Sequence, residues 1–477
     1  MESIIAKYLG TVMEKHLNPR QHGNRKNYST LTQLFCVHEE LLEETLIHGR
    51  VDCIRVDFTR AADLVVHSLL IEKLRYLGID PSIVRWIRAF LTDRLQLTKV
   101  NNVVSEPLKV TSGLPQGSPL CNVLLNIYLN DLHTLTNRRG EIIDYNIYQY
   151  SDDSLIYKKI TCEQDCFELQ SALDAFGEWT EKHGMQINST KKCHFMSFTI
   201  PGQEYFDFKF EYELLGKEII QTKNMKYLGN ILSDDFSFFD QFKFVKDIST
   251  NEKIEFLLEI YQLLHLYPDI QSTFYTQDLR PKLENLSWNL PLTAIYQKEH
   301  LAMECFLFQN NTVSNKNRSR LSGLGKRRLM KSLCMISKVI NRDAPYMHFS
   351  KRVDVFAEGF QIDVFRKIMH NPHSILGNGL KILTQLEKFL QNNENNNGEK
   401  PHVTVASVMS KFSWKNSYLN EFCADTFNKL ISPKPESEEY DHRAALRVIN
   451  ECLHPNSAID ELEEQIKVEE NTSENNN

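Results

Sequence analysis

Tyr145-Asn-Ile-Tyr-Gln-Tyr150-Ser-Asp152-Asp153-Ser-Leu-Ile-Tyr157 places two adjacent carboxylates between two apolar, β-prone runs. Such runs, parted by a short polar pair, predict a tight antiparallel hairpin with both acids at its tip. Neighbouring Asp side chains repel one another, and a hard cation relieves the repulsion. Mg²⁺ takes one or two carboxylates and leaves positions for substrate phosphates. On its own, an Asp-Asp pair in a turn is more often a solvated loop. Here a third acid lies upstream: Asp52-Cys-Ile-Arg-Val-Asp57-Phe58 reads as a short strand ending in Asp57, followed by Thr59-Arg-Ala-Ala62-Asp63 and a helix.

Between these segments runs Ser112-Gly-Leu-Pro-Gln116-Gly117-Ser-Pro-Leu120, bracketed by glycine and proline, and then the helical pattern Val123-Leu-Leu-Asn-Ile-Tyr-Leu-Asn-Asp-Leu132. A loop of this kind lets backbone approach a ligand closely and offers free N–H groups at a helix start. Carboxylate strand, Gly-Gln-Gly loop with helix, and carboxylate hairpin, in that order, suit two-metal nucleotidyl transfer.

The runs Val56–Asp63, Ser112–Pro119 and Tyr150-Ser-Asp-Asp153 resemble the catalytic blocks of reverse transcriptases, specifically those of LINE-type non-LTR retrotransposons. Gln21-His-Gly-Asn-Arg25 resembles the family's segment ahead of the first catalytic strand. The runs His67–Leu74 and Trp86–Arg94 are similar to its intervening helices, and Gly184–Lys191 and Lys226–Gly229 to the blocks that close the palm. The resemblance covers about residues 17–235 and rests on three ordered blocks at family spacing. It implies that Asp57 and Asp152 bridge two Mg²⁺ ions (or Mn²⁺ in their place), that Phe58 lends a backbone carbonyl, and that Asp153 is the outer carboxylate. It also implies that Gln116 and Gly117 lie along the incoming dNTP and that Tyr150 packs beneath the hairpin near the primer end. Lys191 matches the palm-closing lysine that gives a proton or positive charge to pyrophosphate; read alone, it is a surface lysine after a turn.

Three features depart from the family. Ala62 stands where a large aromatic would block a 2′-hydroxyl, and Asn24 stands where phenylalanine usually follows Gln-His-Gly. The chain also begins just ahead of that segment, which implies that the earlier fingers blocks, with the triphosphate-clamping arginine, and an endonuclease domain are lacking, as in an internal piece of an element.

Composition sets only broad bounds. The 477 residues, 42% hydrophobic and 25% charged, suffice for two or three domains of ordinary soluble character. A net charge of −7 is unhelpful for a nucleic-acid enzyme, but Cys305–Asn341 holds no acid while Lys316, Arg318, Arg320, Lys326, Arg327, Arg328, Lys331 and Lys338 accumulate there. Such a run is either a solvated face or a phosphate-backbone surface. The cysteines form no C-x-x-C pair, which argues against a zinc knuckle or a disulfide framework and implies a reducing, intracellular compartment. Cys166, Leu169, Leu173 and Phe176 form an apolar helical stripe, so Cys166 is expected in a core. The N-terminus is too short and polar for a signal peptide, and no apolar run nears the ~20 residues that span a membrane.

The expected fold class is α+β: a right-hand polymerase palm, an antiparallel sheet with packed helices. The expected extents are a truncated fingers segment over residues 1–50, the palm over 51–235, a helical thumb-like region over 236–390, and a polar, acidic, weakly ordered tail over 391–477, entered through the asparagine-rich run at 391–398. Asp80-Pro81 predicts an N-cap and first turn, Leu95–Val100 a strand, Thr161–His183 a helix stopped by Gly184, and Phe195–Phe198 a strand. Phe206–Leu214 alternates apolar and charged residues and predicts a half-buried strand. The expected function is RNA-directed DNA polymerisation from dNTPs on an RNA template and DNA primer. The alternative is a catalytically silent remnant that binds nucleic acid or has no selected function. A viral RNA-dependent RNA polymerase is disfavoured by the Leu-Pro-Gln-Gly loop and the tyrosine heading the hairpin.

Overall fold

The structure is a computed structural model that describes residues 1–237 except 138 and 189–192, together with 240–241, 371 and 374–375. The chain divides into two compact units, residues 1–240 with 338–378 and residues 241–337 with 379–477. Every element below belongs to the first. Lys191, the basic run at 316–338, most of the expected thumb and the tail lie outside the described residues.

Helices α1 (Glu2–Met13) and α2 (Thr30–His48) precede the first strand, β1 (Arg50–Val56). Ser29 caps α2 in a reciprocal box with Thr32, and Gly49 ends it at φ +86°, a conformation that only glycine adopts freely. The short α3 (Ala61–Leu64) leads to α4 (His67–Tyr76) and α5 (Pro81–Leu91). The α5 helix starts as the sequence predicts: the Asp80 carboxylate accepts from Ser82 N–H and Pro81 fills the first turn.

Residues 95–100 do not form one strand. They split into β2 (Leu95–Gln96) and β3 (Lys99–Val100), which pair with β5 (Leu108–Lys109) and β4 (Val103–Val104) in a ribbon whose strand residues are all exposed. Asn101 and Asn102, both at positive φ, make its tip, the conformation of a two-residue hairpin turn. Helix α6 (Pro119–Leu129) follows, with Ser118 as N-cap, and ends in a 3₁₀ turn at Asn130–His133. The hairpin β6 (Asn146–Tyr150) and β7 (Asp153–Lys159) precedes α7 (Glu163–Lys182), beyond which Gly184 takes φ +65°. The chain then forms β8 (His194–Thr199), β9 (Glu213–Leu214), β10 (Lys217–Glu218), β11 (Ile220–Gln221), β12 (Asn224–Tyr227) and β13 (Asn230–Ser233).

The main sheet has the order β11-β8-β1-β7-β6, with β1 at its centre. It is antiparallel apart from the short parallel β11–β8 contact. One large core joins the apolar faces of α1, α4, α5, α6 and α7 to Ile54, Val56, Ile147 and Ile156 of the sheet, with Cys166, Leu169, Leu173 and Phe176 fully buried as their spacing predicts. Each fully buried large side chain contributes on the order of 1.5–3 kcal/mol by removal from water.

Phe206–Leu214 departs from its expected strand: only Glu213 and Leu214 join a ladder, with β10. The period-2 burial is nonetheless present, since Phe206, Phe208 and Phe210 pack partly buried against the core and Tyr212 is buried, while Asp207, Lys209 and Glu211 are exposed. The backbone finds a partner other than a strand. Arg50 Nη1 donates to Phe206 O at 3.2 Å and Phe208 O at 2.7 Å, and its Nε and Nη2 hold Asp52 at 2.8 and 2.7 Å. A buried guanidinium thus satisfies carbonyls that a neighbouring strand would otherwise bond.

Candidate active site

Strand β1 delivers Asp57. Its antiparallel pairing with β7 ends at Val56↔Ser154, so the next residue emerges beside the β6–β7 turn. In that hairpin Tyr150 pairs with Asp153, leaving Ser151 and Asp152 as the two-residue turn. Ser151 takes φ +58°, the sign pattern of a II′ turn when the second position stays negative. The sequence-predicted acids therefore come from the expected elements, with Asp152 in the turn and Asp153 heading β7.

Electrostatics ties the three acids together. Burial raises the Asp152 pKa, and the charges of Asp153 and Asp57 raise it further. Between Asp57 and Asp153 stands Arg55, whose Nη2 is 2.7 Å from Asp153 Oδ1 and 3.9 Å from Asp57 Oδ1. Among the described residues no group of three or more His, Cys, Asp and Glu side chains is arranged to hold a metal ion. Asp57 is also held from the other side: Asn188 Nδ2 donates to its Oδ2 at 3.0 Å, and Asn188 N–H to its carbonyl at 2.8 Å. Phe58 bridges Ile187 and stacks on Phe176 at 5.6 Å, which fixes the backbone just beyond Asp57.

The Gly-Leu-Pro-Gln-Gly loop docks on the segment that follows Asp57. Gly113 N–H donates to Val65 O, Leu114 N–H to Ala62 O, and Gln116 Nε2 to Asp63 Oδ1 at 2.8 Å. A side chain at position 113 would bring its Cβ within 2.5 Å of Asp63 O at φ +83°, so glycine is required there. Gln116 and Gly117 are exposed, Ala62 and Tyr150 are half-buried, and Ser118 caps the start of α6 just past the loop. The glycine loop is thus tied to Ala62 and Asp63, while Tyr150 pairs with Asp153 in the acid-bearing hairpin; Lys191 lies outside the described residues.

Sequence reasoning missed four supporting residues. Gln21 grips the turn: its Oε1 accepts from Ser151 N–H, and its Nε2 donates to Ser151 O. Gly23 lies against the same turn, Asn126 of α6 donates to the Gly23 carbonyl at 2.7 Å, and Arg55 bridges two acids. The signal for Arg55 was present, because residues two apart on a strand share a face and so place Arg55 beside Asp57. That for Gln21 was not, since nothing local ties it to a turn 130 residues away.

Residues 1–232 match the family described as reverse transcriptase (RNA-dependent DNA polymerase). The RNA-directed DNA polymerase from mobile element jockey of Drosophila funebris is 30% identical over 228 residues, covering 46% of this chain and 23% of that protein. The retrovirus-related Pol polyprotein from type-1 retrotransposable element R2 of Bradysia coprophila is 30% identical over 177 residues, covering 35% and 18%. The chain spans about a quarter of the length of the first curated relatives it matches. Among solved structures, apo telomerase from Candida Tropicalis, truncated from its C-terminal domain, aligns at a TM-score of 0.33 and 11% identity over 49% of this chain and 43% of that one, a level from which nothing is argued. Over residues 1–232 the chain is thus similar to reverse transcriptases, including the polymerases of mobile elements.

Proposed function

We propose that this chain carries out RNA-templated DNA synthesis, transferring a nucleotide from a dNTP to a primer 3′-hydroxyl. The observation that carries the reading is the convergence of Asp57, at the end of β1, with the Asp152–Asp153 turn, beside a glycine loop docked on Ala62 and Asp63. Asp57, Asp152, Asp153 and the Phe58 carbonyl offer only hard oxygen donors, and the crowding that raises the Asp152 pKa is relieved by added positive charge. By donor chemistry that set suits Mg²⁺, with Mn²⁺ as a substitute, although the side chains as arranged do not form a metal-holding cluster among the described residues. When bound, the ions would acidify the primer hydroxyl and neutralise the departing pyrophosphate.

The chain's own residues take the following parts. Asp57, Asp152 and Asp153 would hold the cations. Gln116 and Gly117 line the nucleotide, Ala62 lies under its sugar, Tyr150 supports the primer end, and Lys191 supplies positive charge to the leaving group. Residues 1–50 serve as a fingers segment, 51–235 as palm, 236–390 as a thumb-like region and 391–477 as a tail. An RNA template and a DNA primer are the macromolecular partners.

Primer extension on poly(rA)/oligo(dT) with the purified chain tests this. Metal-dependent extension that Asp57→Asn abolishes is expected. No extension under saturating metal would overturn the polymerase reading in favour of a catalytically silent scaffold that binds nucleic acid, the reading that the Arg55–Asp153 ion pair favours.

A further inference from the structure

We infer that Arg55 is an internal counter-cation of the carboxylate centre, so that a divalent ion must displace its guanidinium from Asp153 in order to bind. The inference rests on the metal-dependent reading above and adds a competitor within the site.

Arg55 sits on β1 two residues before Asp57, and the strand's alternation sends both side chains to one face. Its neighbours across the sheet are Leu155 on β7 and His194 on β8, neither of which offers it an anion. It turns instead along the sheet to the acids, 2.7 Å from Asp153 Oδ1 and 3.9 Å from Asp57 Oδ1, with 16% of its side chain exposed. The placement has a cost in hydrogen bonding, because Arg55 Nε is buried without a partner among the described residues. Burial together with the Arg55 charge lowers the His194 pKa, which keeps that ring from supplying a second positive charge. Arg55 thus forms ion pairs with both Asp57 and Asp153, and it engages an oxygen that a cation would require.

Two consequences separate this role from ordinary packing. Removing the charge leaves the acids less compensated in the absence of metal, and it makes them a better cation site. A merely structural arginine produces the first effect without the second.

The test is Mn²⁺ binding to the whole chain, followed by electron paramagnetic resonance of the free ion, for the parent, Arg55→Met and Arg55→Lys. Arg55→Met, which keeps bulk without charge, is expected to bind Mn²⁺ at least about tenfold more tightly, and Arg55→Lys to stay within about threefold of the parent. Adding Asp57→Asn to Arg55→Met should remove the gain. Arg55→Gln gives the same comparison should the methionine variant fail to fold. Equal or weaker binding by the uncharged variants would overturn the inference while leaving the metal-dependent reading intact. A gain that survives Asp57→Asn would overturn it too, by locating the tighter ion elsewhere. Absence of Mn²⁺ binding in every form would overturn both, and primer extension reports on the polymerase reading separately.

Discussion

Gln21 Oε1 accepts from the N–H of Ser151 at 2.9 Å and from that of Gly23 at 2.8 Å, while Gln21 Nε2 donates to the Ser151 carbonyl at 3.2 Å. One amide side chain thus imitates a strand beside the tip of the acid-bearing hairpin. It does so where support is needed, because Ser151 occupies a positive-φ turn position that favours glycine. The backbone joins in: Gln149 N–H donates to Arg20 O, and His22 N–H to Gln149 O, in a short parallel bridge. The Gln-His-Gly segment is in this way a brace for the β6–β7 turn.

Gly23 is the tightest point of that brace. A Cβ there would lie 2.2 Å from Ser151 N, 2.9 Å from its Cα and 3.0 Å from the Tyr150 carbonyl carbon, all of them backbone atoms that cannot swing aside. Gly23→Ala should therefore push the turn from Gln21 and destabilise the domain by about 1–3 kcal/mol, the range for forced overpacking. Urea unfolding measures the loss. An unchanged midpoint would show that the turn is not held there.

Acid sensitivity should come from His22. Burial and the neighbouring Arg25 charge push its pKa down to about 3, and its Nδ1 lies 3.1 Å from Thr32 Oγ1. The sign follows directly. The folded state keeps the ring neutral while the unfolded chain takes a proton below about 6.5, so the contribution is complete above that pH and is lost progressively as pH falls toward 3. Between pH 6 and pH 4 stability should drop by up to ~1.4 kcal/mol per pH unit from this residue. Chemical denaturation across that window checks it, and His22→Gln should flatten the slope by about that amount.

How far the sequence disclosed this domain depended on the range of the interactions involved. The acids, their strand and hairpin, the glycine loop and the capped helix α5 were legible because each is specified within about ten residues: alternation, Asp80-Pro81, the polar turn. The Phe206–Leu214 misreading has the opposite cause. Alternation reports which face is buried, not whether a neighbouring strand exists, and here Arg50, over 150 residues away, takes the carbonyls. Gln21 was opaque as a site residue for the same reason, since its meaning lies in which distant atoms the fold brings to it, whereas Arg55 was legible from its strand spacing to Asp57.

Asp152 should show function opposing stability. Its carboxylate is disfavoured by burial and by the charges of Asp153 and Asp57, so Asp152→Asn removes repulsion that the folded state carries. Without metal the variant should be as stable as the parent or more so. Extension activity should nonetheless fall by about a thousandfold or more, since an amide cannot supply the charge that holds the ions. Thermal unfolding in chelator, paired with single-turnover extension, tests both halves. Activity retained by Asp152→Asn would remove that residue from the proposed chemistry.

Ala62 should decide sugar selectivity. It lies half-buried against the core, and its carbonyl accepts from Leu114 N–H, so its backbone is fixed beneath the glycine loop while its methyl group adds little bulk. Excluding a ribose by collision requires bulk. The parent should therefore discriminate poorly between dNTPs and rNTPs, and Ala62→Phe should raise the preference for dNTPs by about ten- to a hundredfold, the rate equivalent of the ~1–3 kcal/mol by which overpacking penalises an extra group. Single-nucleotide insertion kinetics with matched dNTP and rNTP measure it directly. Strong deoxy selectivity in the parent would mean that a residue other than Ala62 guards the sugar, and Ala62→Phe would then lower both rates together instead of separating them.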